Sequence, residues 1–299
     1  MARLSGPEIL LTGGAGQIGS AFRRLAPSTW RVAAPGNEEL NLSNPAAVAA
    51  TVASRPWVAV LNCAAYTDVD RAESDVVTAW QVNALGPAAL AQATALADIP
   101  LIHLSTDYVF DGRKAGAYVE DDAVGPLSVY GASKEAGEQA VRTANPRHVI
   151  LRTAWVVSPH GRNFVRTMLR LADERRPLAR VVDDQLGCPT SAADIAGALV
   201  SLVERQRQDR ASPVGDYHFV NGGEASWCAL ARFVFERLAA RGRTVPALEA
   251  IGAADYPTAA RRPGNSRLST EKWTRDFGFV ARPWQNAVGE VVDSILDDG

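Results

Sequence analysis

Cysteine and histidine are scarce in this sequence, and neither residue type forms a cluster. The cysteines are odd in number and far apart, which argues against a framework of disulfide bonds: Cys63, Cys188 and Cys228. The four histidines are equally scattered, and no His/Cys spacing matches a zinc site. We therefore expect free thiols and no structural zinc.

Long apolar stretches and concentrated charge are also lacking. No run of about 18 apolar residues occurs, so no membrane span is expected. The net charge is −2 without any basic block, which argues against nucleic acid as a partner. Residues 1–7 lack an apolar signal core, and we expect a cytoplasmic protein.

The remaining composition is that of a globular protein. Apolar residues make up 47% of the 299 positions and charged residues 21%. This length exceeds what one small core can organise, and it suits one large α/β domain or two interleaved ones.

Lysine is the third scarce residue, and one lysine stands in a notable position. Of 31 basic residues only three are lysines: Lys114, Lys134 and Lys272. Lys134 follows Tyr130 by four positions, which on a helix puts both side chains on one face. An ammonium beside a phenol lowers the tyrosine pKa, so we expect Tyr130 to exchange a proton with a substrate oxygen near neutral pH. The alternative is a surface tyrosine with a chance lysine.

A glycine-rich turn follows the first predicted strand. The apolar run Glu8–Thr12 predicts a buried strand, and Gln17–Leu25 predicts a helix. Gly13 and Gly16 lie between the strand and the helix, and Gly19 lies within the helix; the three glycines have GxxGxxG spacing. Such a turn lets the backbone approach a pyrophosphate, which the helix N-terminus attracts. The alternative is a tight βα turn without a ligand.

Strands and helices alternate through the first half of the chain. Further strands are predicted at residues 31–34, 57–62, 100–105 and 148–152, with helical segments at 72–96, interrupted near 83–87, and around Lys134. This alternation predicts an α/β fold with a Rossmann-like, doubly wound parallel sheet and a smaller C-terminal substrate domain. We assign residues 1–153 with 190–222 to a dinucleotide-binding domain and 154–189 with 223–299 to the substrate domain.

The end of the second strand leaves the choice of nicotinamide cofactor open. Dinucleotide folds often carry an acid there for the ribose hydroxyls, or an arginine for a 2′-phosphate. Pro35, Gly36 and Asn37 supply neither, and we expect Glu38 and Glu39 to be solvated. NADH and NADPH therefore remain alternatives.

The tyrosine–lysine pair, the glycine loop and Ser105-Thr106-Asp107 after the fourth strand together resemble the extended short-chain dehydrogenase/reductase superfamily. More narrowly, the chain resembles the dTDP-4-dehydrorhamnose reductase family. The similar stretches run nearly end to end: residues 16–19, 62–70, 105–112, 129–131, 152–156, 163–164, 184–190 and 262–267.

The resemblance implies a reaction and three catalytic residues. The enzyme would reduce the 4-keto group of dTDP-6-deoxy-L-lyxo-4-hexulose with NADH or NADPH, giving dTDP-L-rhamnose. By the family pattern, Tyr130 protonates the developing alkoxide. Lys134 lowers the tyrosine pKa and holds the nicotinamide ribose, and Thr106 orients the keto oxygen.

The resemblance also implies two sets of binding residues. Cofactor contacts are expected from Gly13, Gly16, Gln17, Ile18, Asn41, Leu42, Cys63, Ala64, Ala65, Tyr66, Asn83, Tyr130 and Lys134. Substrate contacts are expected from Thr106, Asp107, Tyr130, Trp155, Asn163, Gln185, Arg262 and Asn265. The alternatives are a core aromatic for Trp155 and a solvated surface arginine for Arg262.

Departures from the family pattern bear on metals and assembly. Tyr66 stands where relatives often have histidine, and Asn41 near where many have an acid. Some members pair subunits through a magnesium ion held by glutamates, but residues 191–194 lack a glutamate at the expected position. We therefore predict no metal and a monomer or weak homodimer.

Two other functions fit the same superfamily. A nucleotide-sugar epimerase or dehydratase would keep the tyrosine–lysine pair. The dehydratase pattern after the fourth strand is Thr-Asp-Glu, whereas this chain has Thr106-Asp107-Tyr108, and the lack of the second acid favours simple reduction. A non-catalytic NADP-binding regulatory subunit would have no physical need for an intact Thr106, Tyr130 and Lys134 set.

Overall fold

The structure, a computed structural model, describes residues 6–297, so residues 1–5 of the stretch considered for a signal core lie outside it. Its strands are β1 (Glu8–Thr12), β2 (Arg31–Ala33), β3 (Ala59–Asn62), β4 (Leu101–Thr106), β5 (His148–Thr153), β6 (Val156–Val157), β7 (Leu178–Val182), β8 (Leu186–Gly187), β9 (Thr190–Ser191), β10 (Gly215–His218), β11 (Ala225–Ser226) and β12 (Ala247–Ile251). Its α-helices are α1 (Gln17–Leu25), α2 (Pro45–Ala53), α3 (Val69–Ala72), α4 (Val76–Trp80), α5 (Gly86–Leu96), α6 (Val129–Ala144), α7 (Phe164–Asp173), α8 (Ala192–Gln208), α9 (Trp227–Ala240), α10 (Glu271–Phe277) and α11 (Trp284–Asp297).

Six parallel strands form the central sheet, in the order β10-β5-β4-β3-β1-β2. The order reverses at β1, which lies between β2 and β3. In open α/β sheets ligands bind at such a switch point, outside the carboxyl ends of the strands. The predicted Rossmann-like, doubly wound parallel sheet is confirmed.

Both faces of the sheet are buried because side chains alternate along each strand. On β1, Ile9 and Leu11 join a core with α1 and α8, whereas Leu10 joins a core with α2, α5 and α6. A third core lies away from the sheet and contains apolar residues of α7, α9 and α11.

The proposed division into two domains follows these cores with few exceptions. Most of the third core comes from residues 154–189 and 223–299, which we assign to the substrate domain. Four residues of the dinucleotide-binding part join that core: Val109, Phe110, Tyr118 and Val220. Trp273, from the substrate part, packs in the sheet core. We keep the division as a proposal, since packing crosses it at these points.

The interruption predicted near residues 83–87 is a change of helix type and not a break in the helix. A π-helical turn, Gln81–Leu85, joins α4 to α5 without a gap. Pro87 lies in the first turn of α5, directly after the π turn, and donates no backbone hydrogen bond there. Asn83 lies within the π turn, which packs against α6.

Gly137 on α6 makes this packing possible, because a Cβ there would overlap the carbonyl oxygen of Asn83. We predict that Gly137→Ala lowers the free energy of unfolding by about 1–3 kcal/mol, as overpacking does. Gly197 on α8 is the matched control, since a Cβ there meets nothing within 4 Å. Gly197→Ala should raise stability by about 0.5–1 kcal/mol. Urea unfolding measures both; equal effects would show that the α6 contact is not tight.

Candidate active site

Two side chains fix the start of α6 and so place Tyr130 in its first turn. The Ser128 hydroxyl accepts a hydrogen bond from the backbone N–H of Gly131 at 3.1 Å, and the Glu73 carboxylate accepts one from Val129 N–H at 2.8 Å. Such bonds satisfy N–H groups that a helix N-terminus leaves free. Gly131 is required because a Cβ there would overlap the carbonyl oxygen of Tyr108.

The three predicted catalytic residues meet at the carboxyl end of β4. Thr106 is the last residue of β4, and its hydroxyl acts on the Tyr130 phenol, whose pKa it lowers. Lys134 is only 2% exposed, and its ammonium donates a hydrogen bond of 2.7 Å to the Leu104 carbonyl oxygen. The Tyr130 ring packs edge-on against Tyr108, with 5.7 Å between centroids.

The expected lowering of the tyrosine pKa is wrong for this arrangement. Burial raises the pKa of Tyr130 to about 12, and the Thr106 hydroxyl only partly counteracts it. The Lys134 ammonium bonds to the Leu104 carbonyl rather than to the phenol. Tyr130 is therefore protonated at neutral pH, which suits a proton donor.

Burial acts on Lys134 in the opposite direction. It lowers the lysine pKa to about 8, because a charged ammonium is disfavoured away from water, while the charge of Glu138 counteracts the fall. The neighbouring Cys63 thiol stays neutral, since burial raises its pKa to about 12. Lys134 thus changes charge close to physiological pH.

The glycine loop lies against the segment that follows β3. Gly13 has a φ of +72°, which favours glycine, and a Cβ there would stand 2.5 Å from backbone atoms of Cys63 and Ala64. No side chain caps α1, which begins at Gln17. Free N–H groups at a helix start and a backbone cradle without Cβ atoms fit a dinucleotide pyrophosphate. Gly16, Ile18 and Ala65 lie in the same two segments.

Asn83 connects the segment after β3 to the catalytic helix. Its amide oxygen accepts from the Tyr66 N–H at 2.8 Å, and its amide nitrogen donates to the Tyr66 carbonyl and to the Ser133 hydroxyl. Because these bonds use both amide hydrogens, the side chain positions the two segments. A cofactor contact from Asn83 itself stays a prediction.

Asn41 and Leu42, which we predict to contact the adenine side of the cofactor, contact mainly residues close to them in the structure. Asn41 is exposed, and its side chain accepts from the N–H of Ser43. Leu42 is buried beside Gly86. Glu39 is exposed as expected, although its carboxylate accepts from Gly36 N–H at 3.1 Å.

Asn163 lies beside the glycine loop in this structure. Its amide nitrogen donates to the Gln17 side-chain oxygen at 3.0 Å, and its own oxygen caps α7 by accepting from Arg166 N–H. Ser158, which sequence reasoning missed, donates to the same Gln17 oxygen at 2.8 Å. Asn163, a predicted substrate residue, and Gln17, a predicted cofactor residue, are thus hydrogen-bonded to each other.

Trp155 combines a strained backbone with a stacked side chain. Its φ is +47°, unusual for a bulky residue, and its indole is 9% exposed. Trp227 stacks on it with 3.4 Å between ring centroids and 5° between planes, and Phe164 lies tilted against Trp227. A Cβ on Gly187 would overlap the Trp155 indole. Trp227 carried no sequence signal, whereas Phe164 belongs to the stretch 163–164 that resembles the family.

Arg262 is paired, not freely solvated. Its guanidinium donates to both carboxylate oxygens of Asp70, at 3.1 and 2.7 Å, and this contact holds the Asp70 pKa below its usual range. Asp70 also accepts from the N–H of Ala260 at 3.0 Å. The loop after β12 is thereby fixed to α3, so Asp70 is a residue that sequence reasoning missed.

Asp107 is a buried carboxyl with one oxygen that has no partner among the described residues. One oxygen accepts from the Thr106 hydroxyl at 2.9 Å; the other has none. Burial raises the Asp107 pKa to about 6. An unpartnered buried acceptor at this edge fits a ligand hydroxyl.

The last two predicted substrate residues, Asn265 and Gln185, lie near each other. Asn265 donates to the carbonyls of Lys114 and Gly116, and its oxygen accepts from Arg267. Gln185 is 9% exposed, next to β8, whose Leu186 bridges to Asn265. Their contacts with substrate stay predictions.

Residues 6–297 contain neither a metal-binding cluster nor a membrane-spanning helix. No group of three or more His, Cys, Asp or Glu side chains is arranged to hold a metal ion. No helix in this range is both long and apolar enough to span a membrane.

A family model, curated relatives and solved structures give consistent results when this chain is compared with known proteins. A family model described as the RmlD substrate binding domain matches residues 7–296. The dTDP-4-dehydrorhamnose reductase of Sinorhizobium fredii is 44% identical over 294 residues, covering 98% of this chain and 99% of that protein. Two crystal structures are each 32% identical and cover 97% of this chain and 99% of theirs. They are dTDP-4-dehydrorhamnose reductases from Bacillus anthracis, in complex with NADP (TM-score 0.88), and Clostridium acetobutylicum (TM-score 0.89).

We predict a measurable coupling between Asp70 and Arg262. A double-mutant cycle with Asp70→Asn and Arg262→Gln should give about 1 kcal/mol in urea unfolding, because the pair is bidentate but partly exposed. The exposed pair Arg205–Asp209, 3.9 Å apart, is the control and should give about 0.3 kcal/mol. Equal coupling in both cycles would contradict an anchoring role for Asp70.

Proposed function

Because the chain belongs to the dTDP-4-dehydrorhamnose reductase family, we propose that it is an oxidoreductase of nucleotide-sugar biosynthesis. It reduces the 4-keto group of dTDP-6-deoxy-L-lyxo-4-hexulose with NADPH or NADH, giving dTDP-L-rhamnose. The observation that carries this proposal is the meeting of Thr106, Tyr130 and Lys134 at the carboxyl end of β4, beside the glycine loop.

Tyr130 is the proton donor in this proposal. The bound nicotinamide supplies a hydride to the keto carbon, and negative charge then develops on the keto oxygen. A pKa of about 12 keeps the Tyr130 phenol protonated until that charge appears. The Thr106 hydroxyl donates to Asp107 in this structure, and rotation about its C–O bond turns it toward the keto oxygen.

Lys134 and the backbone hold the cofactor. The Lys134 ammonium has hydrogens left after its bond to Leu104, and these would reach the nicotinamide ribose hydroxyls. The glycine loop from Gly13 and the start of α1 would hold the pyrophosphate.

The nucleotide sugar would bind between Asp107, Trp155 and Arg262. The unpartnered Asp107 oxygen would accept a sugar hydroxyl, and Trp155 presents a rigid indole, since Trp227 holds it from one side. Arg262 would meet the diphosphate while Asp70 keeps its guanidinium in place. We further propose a cytoplasmic monomer or weak homodimer without a metal. Three free cysteines support a reducing compartment.

Removing the Tyr130 hydroxyl tests the proton donor. Tyr130→Phe should lower kcat by about 10²–10⁴-fold with NADPH binding nearly unchanged, since the ring stays. Turnover is followed by NADPH or NADH oxidation at fixed dTDP-sugar concentration. Tyr108→Phe, which changes the neighbouring ring in the same way, is the control and should lower kcat far less. Wild-type turnover in Tyr130→Phe would remove Tyr130 from this role.

The low pKa of Lys134 predicts a pH dependence. Its folded-state pKa lies below that of an ordinary lysine, so its charge is present below about pH 8 and is lost as pH rises through that value. NADPH affinity should therefore fall about tenfold between pH 7 and pH 9. Lys134→Met should bind weakly at both pH values, with the fall abolished. Binding is measured by nicotinamide fluorescence; a fall that persists in Lys134→Met would assign it to another group.

A further inference from the structure

A buried carboxylate lies one helical turn beyond Lys134. Glu138 is on the same face of α6, four positions later, and it is fully buried. Arg152 on β5 binds it with two parallel bonds, from Nε to Oε1 at 2.9 Å and from Nη2 to Oε2 at 2.7 Å. Arg142 adds a third bond to Oε2 at 2.5 Å.

The two arginines are held from the other side as well. The Asp216 carboxylate on β10 accepts from Arg142 at 2.9 Å and from Arg152 at 3.4 Å. Arg152 itself is 1% exposed and lies 5.1 Å from the centroid of the Phe110 ring. Removing charges from water is costly, and apolar side chains of similar volume often stabilise a core equally well. The network therefore invites a functional explanation.

The groups that face Lys134 are few, and most of them are neutral. On β4 these groups are the Leu104 carbonyl and the His103 imidazole. Burial lowers the pKa of His103, so its imidazole is neutral, and its Nδ1 accepts a hydrogen bond from the Asn62 amide. The Cys63 thiol, after β3, is neutral because its pKa is raised. The Tyr130 phenol, one turn before Lys134 on α6, is neutral because burial raises its pKa too. This leaves the Glu138 carboxylate as the anion that acts on Lys134.

We propose that Glu138 is a positioning residue that keeps the Lys134 side chain in its charged ammonium form, and that Arg152 limits how strongly the Glu138 charge acts on Lys134. The part that Lys134 plays in holding the cofactor rests on the proposed function. The electrostatic coupling itself does not, because it depends only on groups within the folded chain.

The scarcity of lysine makes a direct measurement possible. With only three lysines, ¹³C-labelled lysine gives three ε-carbon NMR signals, which Lys→Arg variants assign, and each signal titrates with its own amine. Glu138→Gln should shift the Lys134 titration to lower pH by about one unit, because an anion is lost near a cation. Arg152→Met should shift it to higher pH, because a competing cation is lost.

Opposite shifts separate this proposal from a merely structural role. If the network only held α6 in place, both variants would loosen the same contact and shift Lys134 in the same direction. Glu135→Gln, on the same helix, is the matched control and should leave the Lys134 titration unchanged. The signal of Lys114, whose amine is paired with Asp122 at 2.5 Å, should not shift in any of these variants. Shifts of equal sign, or none, would overturn the proposal.

A double variant keeps the test intact if Glu138→Gln does not fold. Glu138→Gln/Arg152→Met removes both charges and leaves no unpaired arginine in the core. Its Lys134 titration should lie below that of Arg152→Met alone; equal titrations would overturn the coupling. None of these measurements needs substrate, so a chain without reductase activity could still show the shifts, and an active reductase could lack them.

Discussion

The bond between the buried Lys134 ammonium and the Leu104 carbonyl is the constraint around which the site is arranged. Burial keeps the neighbouring Cys63 thiol and His103 imidazole uncharged, which leaves the Glu138 carboxylate as the charged neighbour that acts on this cation. The same burial keeps the Tyr130 phenol protonated. Burial therefore keeps the proton on Tyr130 although the Lys134 ammonium bonds to a carbonyl oxygen and not to the phenol.

Backbone-to-backbone contacts bring the elements of the site this close. Gly13 meets the segment after β3, Gly131 meets the carbonyl of Tyr108, and Gly137 meets the carbonyl of Asn83. Each contact leaves no room for a Cβ. The glycine loop, the end of β4 and the catalytic helix are consequently held at fixed separations, which a positioned proton donor needs.

Local signals in the sequence predicted what depends on local physics. The bounds of β1 and α1 and the alternation of strands and helices follow from short patterns, and the structure has them. The glycine loop and the tyrosine–lysine spacing placed the centre of the site for the same reason.

Features that depend on distant parts of the chain could not be read in this way. Asp70 and Arg262 are 192 positions apart, and no pattern links them. Trp227 meets Trp155 only after α9 packs on the third core. The direction of the Tyr130 pKa was predicted from its lysine neighbour, whereas burial, which only the folded structure reveals, decides it.

The outer strands of the central sheet also affect how the protein meets other chains. β2 has three residues and β10 has four, and on β10 the N–H of His218 is taken by the Glu120 carboxylate at 2.9 Å. Long, unpaired strand edges are templates for aggregation and domain swapping, and short or covered edges prevent this. A central sheet that ends in such strands offers little free backbone for the addition of a strand from another chain.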